Sequence, residues 1–109
     1  MTLSWHTILE FEPPLMGCVI RNRNYSFELL QAASEYVINL PTVEIAGQVM
    51  GCGNTSGANL DKFKRFGLTP RSAMPVGAPL TKECFANLEC RVTDTRLVES
   101  FFVLEVVKA

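Results

Sequence analysis

The sequence predicts a β-rich α+β domain in which short helices sit between antiparallel strands. Two observations carry this. Glu83–Val92 and Leu97–Val107 are the strongest strand signals, and Thr93-Asp94-Thr95-Arg96 joins them as a hairpin or near-hairpin. The remaining apolar runs, such as Leu15–Ile20, are strand-sized, and helical spacing is confined to short stretches between turn residues.

Thr2–Leu9 alternates loosely and contains Trp5, so it reads as a strand or strand end. Phe11-Glu12-Pro13-Pro14 breaks it, because two successive prolines remove two donors and fix φ. Leu15–Ile20 follows as a buried strand, with Gly17 marking a bulge or a close backbone approach. Asn22–Asn24 is a polar turn. Ser26 then stands as an N-cap before a short amphipathic helix with apolar residues at Phe27, Leu29, Leu30 and Ala33. Glu35–Leu40 is a strand stopped by Pro41. Thr42–Met50 has mostly helical spacing despite Gly47, and Gly51–Gly57 is a loop of small residues. Asp61–Phe66 reads as a third short helix closed by Gly67 at C′. Leu68–Leu80, with three prolines, reads as loop containing at most a short extended piece.

Length and composition set the outer bounds. The chain has 109 residues, the size of one domain over 1–109. With 48% apolar and 19% charged residues it can bury a core, although it is small for a β-rich fold standing alone. Ten basic against eleven acidic residues give a net charge of -1, which provides no field for nucleic acid or an anionic membrane. The small basic clusters, Arg21/Arg23 and Lys62/Lys64/Arg65, could hold one phosphate group but could not follow a polymer backbone. No apolar run reaches the roughly 20 residues that span a bilayer. Cys18, Cys52, Cys84 and Cys90 show no C-x-x-C spacing and there is one histidine, which argues against zinc. Cys18 sits in an apolar run as a buried reduced thiol would, and no signal peptide precedes it; the expected location is cytoplasmic.

No nucleophile elbow, Walker sequence or G-x-G-x-x-G is present, and no catalytic residue is assigned. Two segments could bind an anion. Gly51–Gly57 is rich in backbone donors and hydroxyls, but on composition alone it reads more readily as a plain turn. Arg21-Asn22-Arg23-Asn24-Tyr25-Ser26 places two guanidinium groups and a hydroxyl at a helix start, where backbone N–H groups and the helix dipole favour negative charge. A solvated turn with a serine cap fits the same residues.

These segments also resemble a known family. Thr2-x-Ser4-Trp5-His6, Phe11-Glu12-Pro13-Pro14-Leu15-x-Gly17-Cys18-Val19-Ile20 and Asn22-Arg23-Asn24-Tyr25-Ser26-Phe27-Glu28-Leu29-Leu30 are similar to the flavin-reductase-like, FMN-binding split-barrel family, its flavoredoxin-type branch in particular. Tyr36-Val37-Ile38-Asn39-Leu40-Pro41, Cys52-Gly53-x-x-Ser56-Gly57, Asp61-Lys62-Phe63, Gly67-Leu68-Thr69, Lys82-Glu83-Cys84 and Asn87-Leu88-Glu89-Cys90 extend the likeness over the whole chain. Each motif is weak alone; together they are specific.

The resemblance implies an antiparallel Greek-key split β-barrel, and a homodimer with FMN near the interface. It implies that Thr2, Ser4, Trp5 and His6 lie along the flavin ring or ribityl chain. Asn22, Arg23, Asn24, Tyr25 and Ser26 would hold the ribityl and phosphate end, with Ser56, Gly57 and Lys62 closing the pocket. Family members begin with a strand ahead of the Met1 position and continue past Ala109, so the domain is expected to be incomplete at both termini. Arg21 stands where the family has a small residue. The implied activity is electron transfer between NADH or NADPH, or a redox protein partner, and flavin. Two other readings stay open: an FMN-binding electron carrier without reductase activity, and a truncated, cofactor-free dimeric β-domain.

Overall fold

The computed structural model describes residues 1–58, 61–74, 76–95 and 100–109. A five-stranded sheet forms its frame, built from β1 (His6–Glu10), β2 (Leu15–Val19), β3 (Glu35–Leu40), β6 (Ala86–Asp94) and β7 (Phe101–Lys108). The spatial order is β1-β2-β7-β6-β3, and every neighbouring pair is antiparallel. A second, two-stranded sheet pairs β4 (Pro70–Arg71) with β5 (Leu80–Thr81). The helices are α1 (Tyr25–Ala33), α2 (Ala46–Gly53) and α3 (Lys62–Arg65), with a 3-10 turn over Val43–Ile45.

The core gathers on the three inner strands of the sheet. β7 buries Phe102, Val103 and Leu104, β2 buries Gly17 and Cys18, and β6 buries Glu89 and Cys90. Helix α1 lays Phe27 and Leu30 into this core, and the Phe27 ring meets Phe102 edge-on at 5.7 Å. Edge-to-face contact brings the positive ring edge to the negative ring face, which adds to the gain from burial. Gly17 is a close approach: a Cβ there would run into the Phe101 ring on β7. In the β1–β2 ladder the irregularity lies instead on β1, between Ile8 and Glu10.

Several sequence expectations need correction. Ser26 does not cap α1. The N-cap is Asn24, with extended backbone, and Ser26 falls inside the first turn. The turn is polar throughout, and the Asn24 N–H bond to the Arg21 carbonyl at 3.0 Å fixes where the helix starts. The helix expected over Thr42–Met50 is instead a 3-10 turn followed by α2 at Ala46–Gly53, so Gly51, Cys52 and Gly53 are helical rather than loop. Tertiary contact overrides glycine's low propensity: Gly51 lies under the Phe66 ring and Gly53 against Thr2.

The first strand begins at His6 rather than Thr2, because Thr2 turns to α2 and donates its hydroxyl to the Val49 carbonyl. The next-to-last strand begins at Ala86 rather than Glu83 and continues through Thr93 and Asp94. Of the expected strand Leu97–Val107 and its hairpin, Arg96–Glu99 lie outside the described residues; β7 itself starts at Phe101. The proline-rich stretch does contain a short extended piece. Asn39 docks it, with its Oδ1 accepting from the Thr81 N–H at 3.1 Å and the Asn87 amide at 2.6 Å.

Candidate functional site: a basic cavity where three helices meet

The start of α1, the end of α2 and the start of α3 surround a cavity of about 300 Å³. Helix α1 contributes Arg23, Asn24, Tyr25 and Ser26 from its first turn and the residues just ahead of it. The Asn24 side chain makes no capping bond to the helix, so this end is not closed from within. Positive partial charge from the first N–H groups therefore remains at the cavity.

The end of α2 and the loop after it supply Cys52, Gly53, Thr55, Ser56 and Gly57. Helix carbonyls at a C-terminus carry negative partial charge, which opposes an anion. Lys62 covers that end: its Nζ donates to the Cys52 carbonyl at 2.6 Å. Asp61 holds Lys62 in place by capping α3, accepting from the Phe63 and Lys64 N–H groups at 3.0 and 3.4 Å. Gly57 lies close to the Tyr25 ring, 3.5 Å from where a Cβ would stand.

The electrostatics follow from this donor set. The described lining residues hold two cationic side chains, five hydroxyls from Thr2, Tyr25, Ser26, Thr55 and Ser56, and no carboxylate. Met1 also lines the wall. A phosphate monoester matches such a set in charge and hydrogen-bonding sense. A larger cleft of about 410 Å³ elsewhere has Leu30, Val92 and Phe102 in its wall with Asp94 and no cationic residue among its described lining, so it does not suit an anion.

Of the residues singled out from sequence, the cavity brings together Thr2, Arg23, Asn24, Tyr25, Ser26, Ser56, Gly57 and Lys62. Ser4, Trp5, His6 and Asn22 do not line it, and Trp5 is 66% exposed. Arg21 is exposed and also lies outside the wall. Sequence reasoning missed Met1 and reached Cys52, Gly53 and Thr55 only as members of the donor-rich segment Gly51–Gly57, without assigning them to the site. Thr55 carried a usable signal, a hydroxyl inside that segment. The part played by Cys52 and Gly53 was hidden, because it depends on α2 ending against Lys62 and Thr2.

Comparison with known proteins fixes the ancestry. The sequence profile described as the flavin reductase like domain matches residues 1–109. The chain belongs to that family. This flavin-reductase-like chain superimposes on the flavoredoxin of Methanosarcina acetivorans with a TM-score of 0.88 and 29% identity, over 97% of its own length and 57% of the other. For the flavoredoxin of Desulfovibrio vulgaris the values are 0.90, 25%, 97% and 57%. A protein of Archaeoglobus fulgidus without assigned function is 39% identical over 92 residues, covering 84% of this chain and 52% of that protein. The fold is thus the split barrel of FMN-binding proteins, and the chain spans about half the length of the curated relatives it matches.

Proposed function

We propose that the chain is an FMN-binding flavoprotein of the flavin reductase type, passing electrons between NADH or NADPH, or a redox protein partner, and flavin. The observation that carries this is the cavity at the start of α1, where Arg23, Ser26 and Lys62 converge without an opposing carboxylate. Arg23 and Lys62 would hold the phosphate of FMN, Ser26 would donate to it or to the ribityl chain, and Tyr25 would border the same end. Thr2, Ser4, Trp5 and His6 would border the flavin ring, and Asn22 would support the turn that presents Arg23. FMN supplies the redox chemistry when bound, and the protein's part is to bind, orient and shield it. This accounts for a site without a paired acid and base.

A second copy of the chain is the proposed neighbour of β1. All five residues of that edge strand are exposed, Ile8 at 71%, and bare strand edges recruit partners. The protein is proposed to act in the cytoplasm; no helix among the described residues is long and apolar enough to cross a membrane.

The deciding experiment is a visible spectrum of the purified protein with an FMN titration. Flavin bands, or saturable quenching of FMN fluorescence, are expected; neither appearing ends the proposal. Anaerobic addition of NADH and NADPH to the FMN-loaded protein then separates a reductase, which bleaches within seconds, from an electron carrier, which does not.

A further inference from the structure

The end of α2 is held by groups from several parts of the chain. A helix C-terminus leaves its last four carbonyls without intrahelical partners. Here Thr55 Oγ1 donates to the Gly51 carbonyl at 3.0 Å and Lys62 Nζ to Cys52 at 2.6 Å, and just ahead of those four Thr2 Oγ1 adds a donor to the Val49 carbonyl at 2.8 Å. The Asn54 N–H donates to Met50 at 3.1 Å. Of the side-chain donors, Thr2 is the most remote in sequence, 47 residues from its acceptor.

Thr2 also meets α2 sterically. A Cβ built on Gly53 would stand 2.9 Å from Thr2 Oγ1 and 3.2 Å from Thr2 Cβ. Gly53 has no positive φ, so the backbone does not demand glycine there. What demands it is the closeness of Thr2. Thr2, Gly53 and Cys52 all line the basic cavity.

We infer that Thr2 is a positioning residue for the cofactor site. Its hydroxyl fixes the last turn of α2, and that turn is the wall on which Lys62 sits. Were the turn to fray, bare carbonyls would face the cavity and repel a phosphate group. Thr2 thus acts through α2, its hydroxyl proton being committed to Val49 rather than offered to a ligand. The inference rests on the reading that this cavity takes FMN.

Three variants test it, Thr2→Val, Thr2→Ser and Gly53→Ala, each with two readouts: amide hydrogen exchange of α2 in the cofactor-free protein, and FMN affinity by fluorescence quenching. Thr2→Val loses one hydrogen bond of ordinary strength, so the Met50–Asn54 amides should exchange about threefold to tenfold faster, with FMN affinity falling by a similar factor. Thr2→Ser keeps the hydroxyl and should restore both. Gly53→Ala keeps the Thr2 hydroxyl but pushes it off α2, so the Met50–Asn54 amides should exchange faster and FMN affinity should fall as in Thr2→Val, while the far-ultraviolet circular dichroism of the cofactor-free protein stays unchanged, a split that loss of folding would not give. Unchanged exchange in Thr2→Val, or unchanged FMN affinity in Gly53→Ala, overturns the inference. If Thr2→Val does not fold, Gly53→Ala decides alone. If the wild type binds no FMN, the proposed function fails, while the exchange comparison still decides whether Thr2 holds α2.

Discussion

The hydroxyl of Tyr36 on β3 lies 3.1 Å from the sulfur of Cys18 on β2, although β7 and β6 separate those two strands in the sheet. The sheet is therefore curled enough for its far members to touch across the interior. Tyr36 also stands opposite Cys90 in the β3–β6 ladder, so one phenol serves a cross-interior contact and a cross-strand one. Burial, then the hydrogen bond to Cys18, push the phenol pKa far up, and it remains a neutral donor or acceptor. Tyr36→Phe should lower stability by about 1 kcal/mol, the usual worth of a hydrogen bond to a partly buried partner. Urea unfolding followed by far-ultraviolet circular dichroism measures it; an unchanged midpoint would mean the contact contributes nothing.

The thiols should divide by burial. Burial, and then the nearby Cys18, raise Cys90 to about 11, and burial raises Cys18 against the opposing effect of Tyr36. The thiolate is the reactive form, so these two should resist iodoacetamide in the folded protein and react once it is denatured. Cys52 and Cys84, both half-buried, should be alkylated first. FMN should protect Cys52 and not Cys84, which mass spectrometry of labelled peptides resolves.

The α2 glycines should respond in opposite directions. Nothing lies within 4 Å of a Cβ at Gly47, so Gly47→Ala should stabilise by about 0.5–1 kcal/mol through helix propensity. A Cβ at Gly51 would run into the Phe66 ring, so Gly51→Ala should destabilise by about 1–3 kcal/mol, as overpacking does. Thermal melts of both variants make the comparison.

Arg23→Ala should weaken FMN binding about tenfold to a hundredfold, the loss expected for a charged hydrogen bond. Lys62→Met should do the same and also lower Tm, since it uncovers the C-terminus of α2. The measurement is an FMN titration beside a melt of the cofactor-free protein. A Lys62→Met protein with wild-type Tm would contradict the capping role.

Two surface carboxylates should shape the acid limb of stability. The Thr69 N–H and then its hydroxyl, at 2.8 and 2.7 Å, hold Glu83 below the usual glutamate range. The Arg91 side chain and then the Gly77 N–H do so for Glu35. A carboxyl depressed in the folded state stabilises fully above its unfolded pKa, about 4.3, and loses that contribution as pH falls through the folded value. Glu83→Gln and Glu35→Gln should therefore differ from wild type at pH 7 and converge with it in acid. A urea midpoint difference that persists in acid would point to another cause.

Most of the fold was legible because it is periodic. Glu35–Leu40 was read to the residue, and β2 and α3 came within about one residue, since proline, glycine and Asp61 punctuate them. What escaped was decided at a distance. Nothing local says that α2 should run to Gly53; Thr2 and Phe66 say it, from elsewhere in the chain. The cap of α1 escaped for a different reason, since Asn22, Asn24 and Ser26 are all competent caps and only the path of the turn chooses. For the site, a basic helix start was visible at Arg23–Ser26, whereas Cys52 as an acceptor for Lys62 was not, because a backbone carbonyl leaves no mark on the sequence.

The pairing of β2 with β7 has a consequence for how the molecule is made. Leu15 sits opposite Glu105 and Val19 opposite Phe101, so strands from the two ends of the described chain lie side by side at the centre of the sheet. During synthesis, β1 and β2 can form their ladder early, but the other edge of β2 stays bare until β7 leaves the ribosome. Contacts so distant in sequence also slow refolding, because the chain loses much entropy before they reward it. Cys18, Ile20 and Phe27 thus wait, unburied, for Phe102 and Leu104. A nascent chain therefore exposes these apolar side chains until β7 arrives.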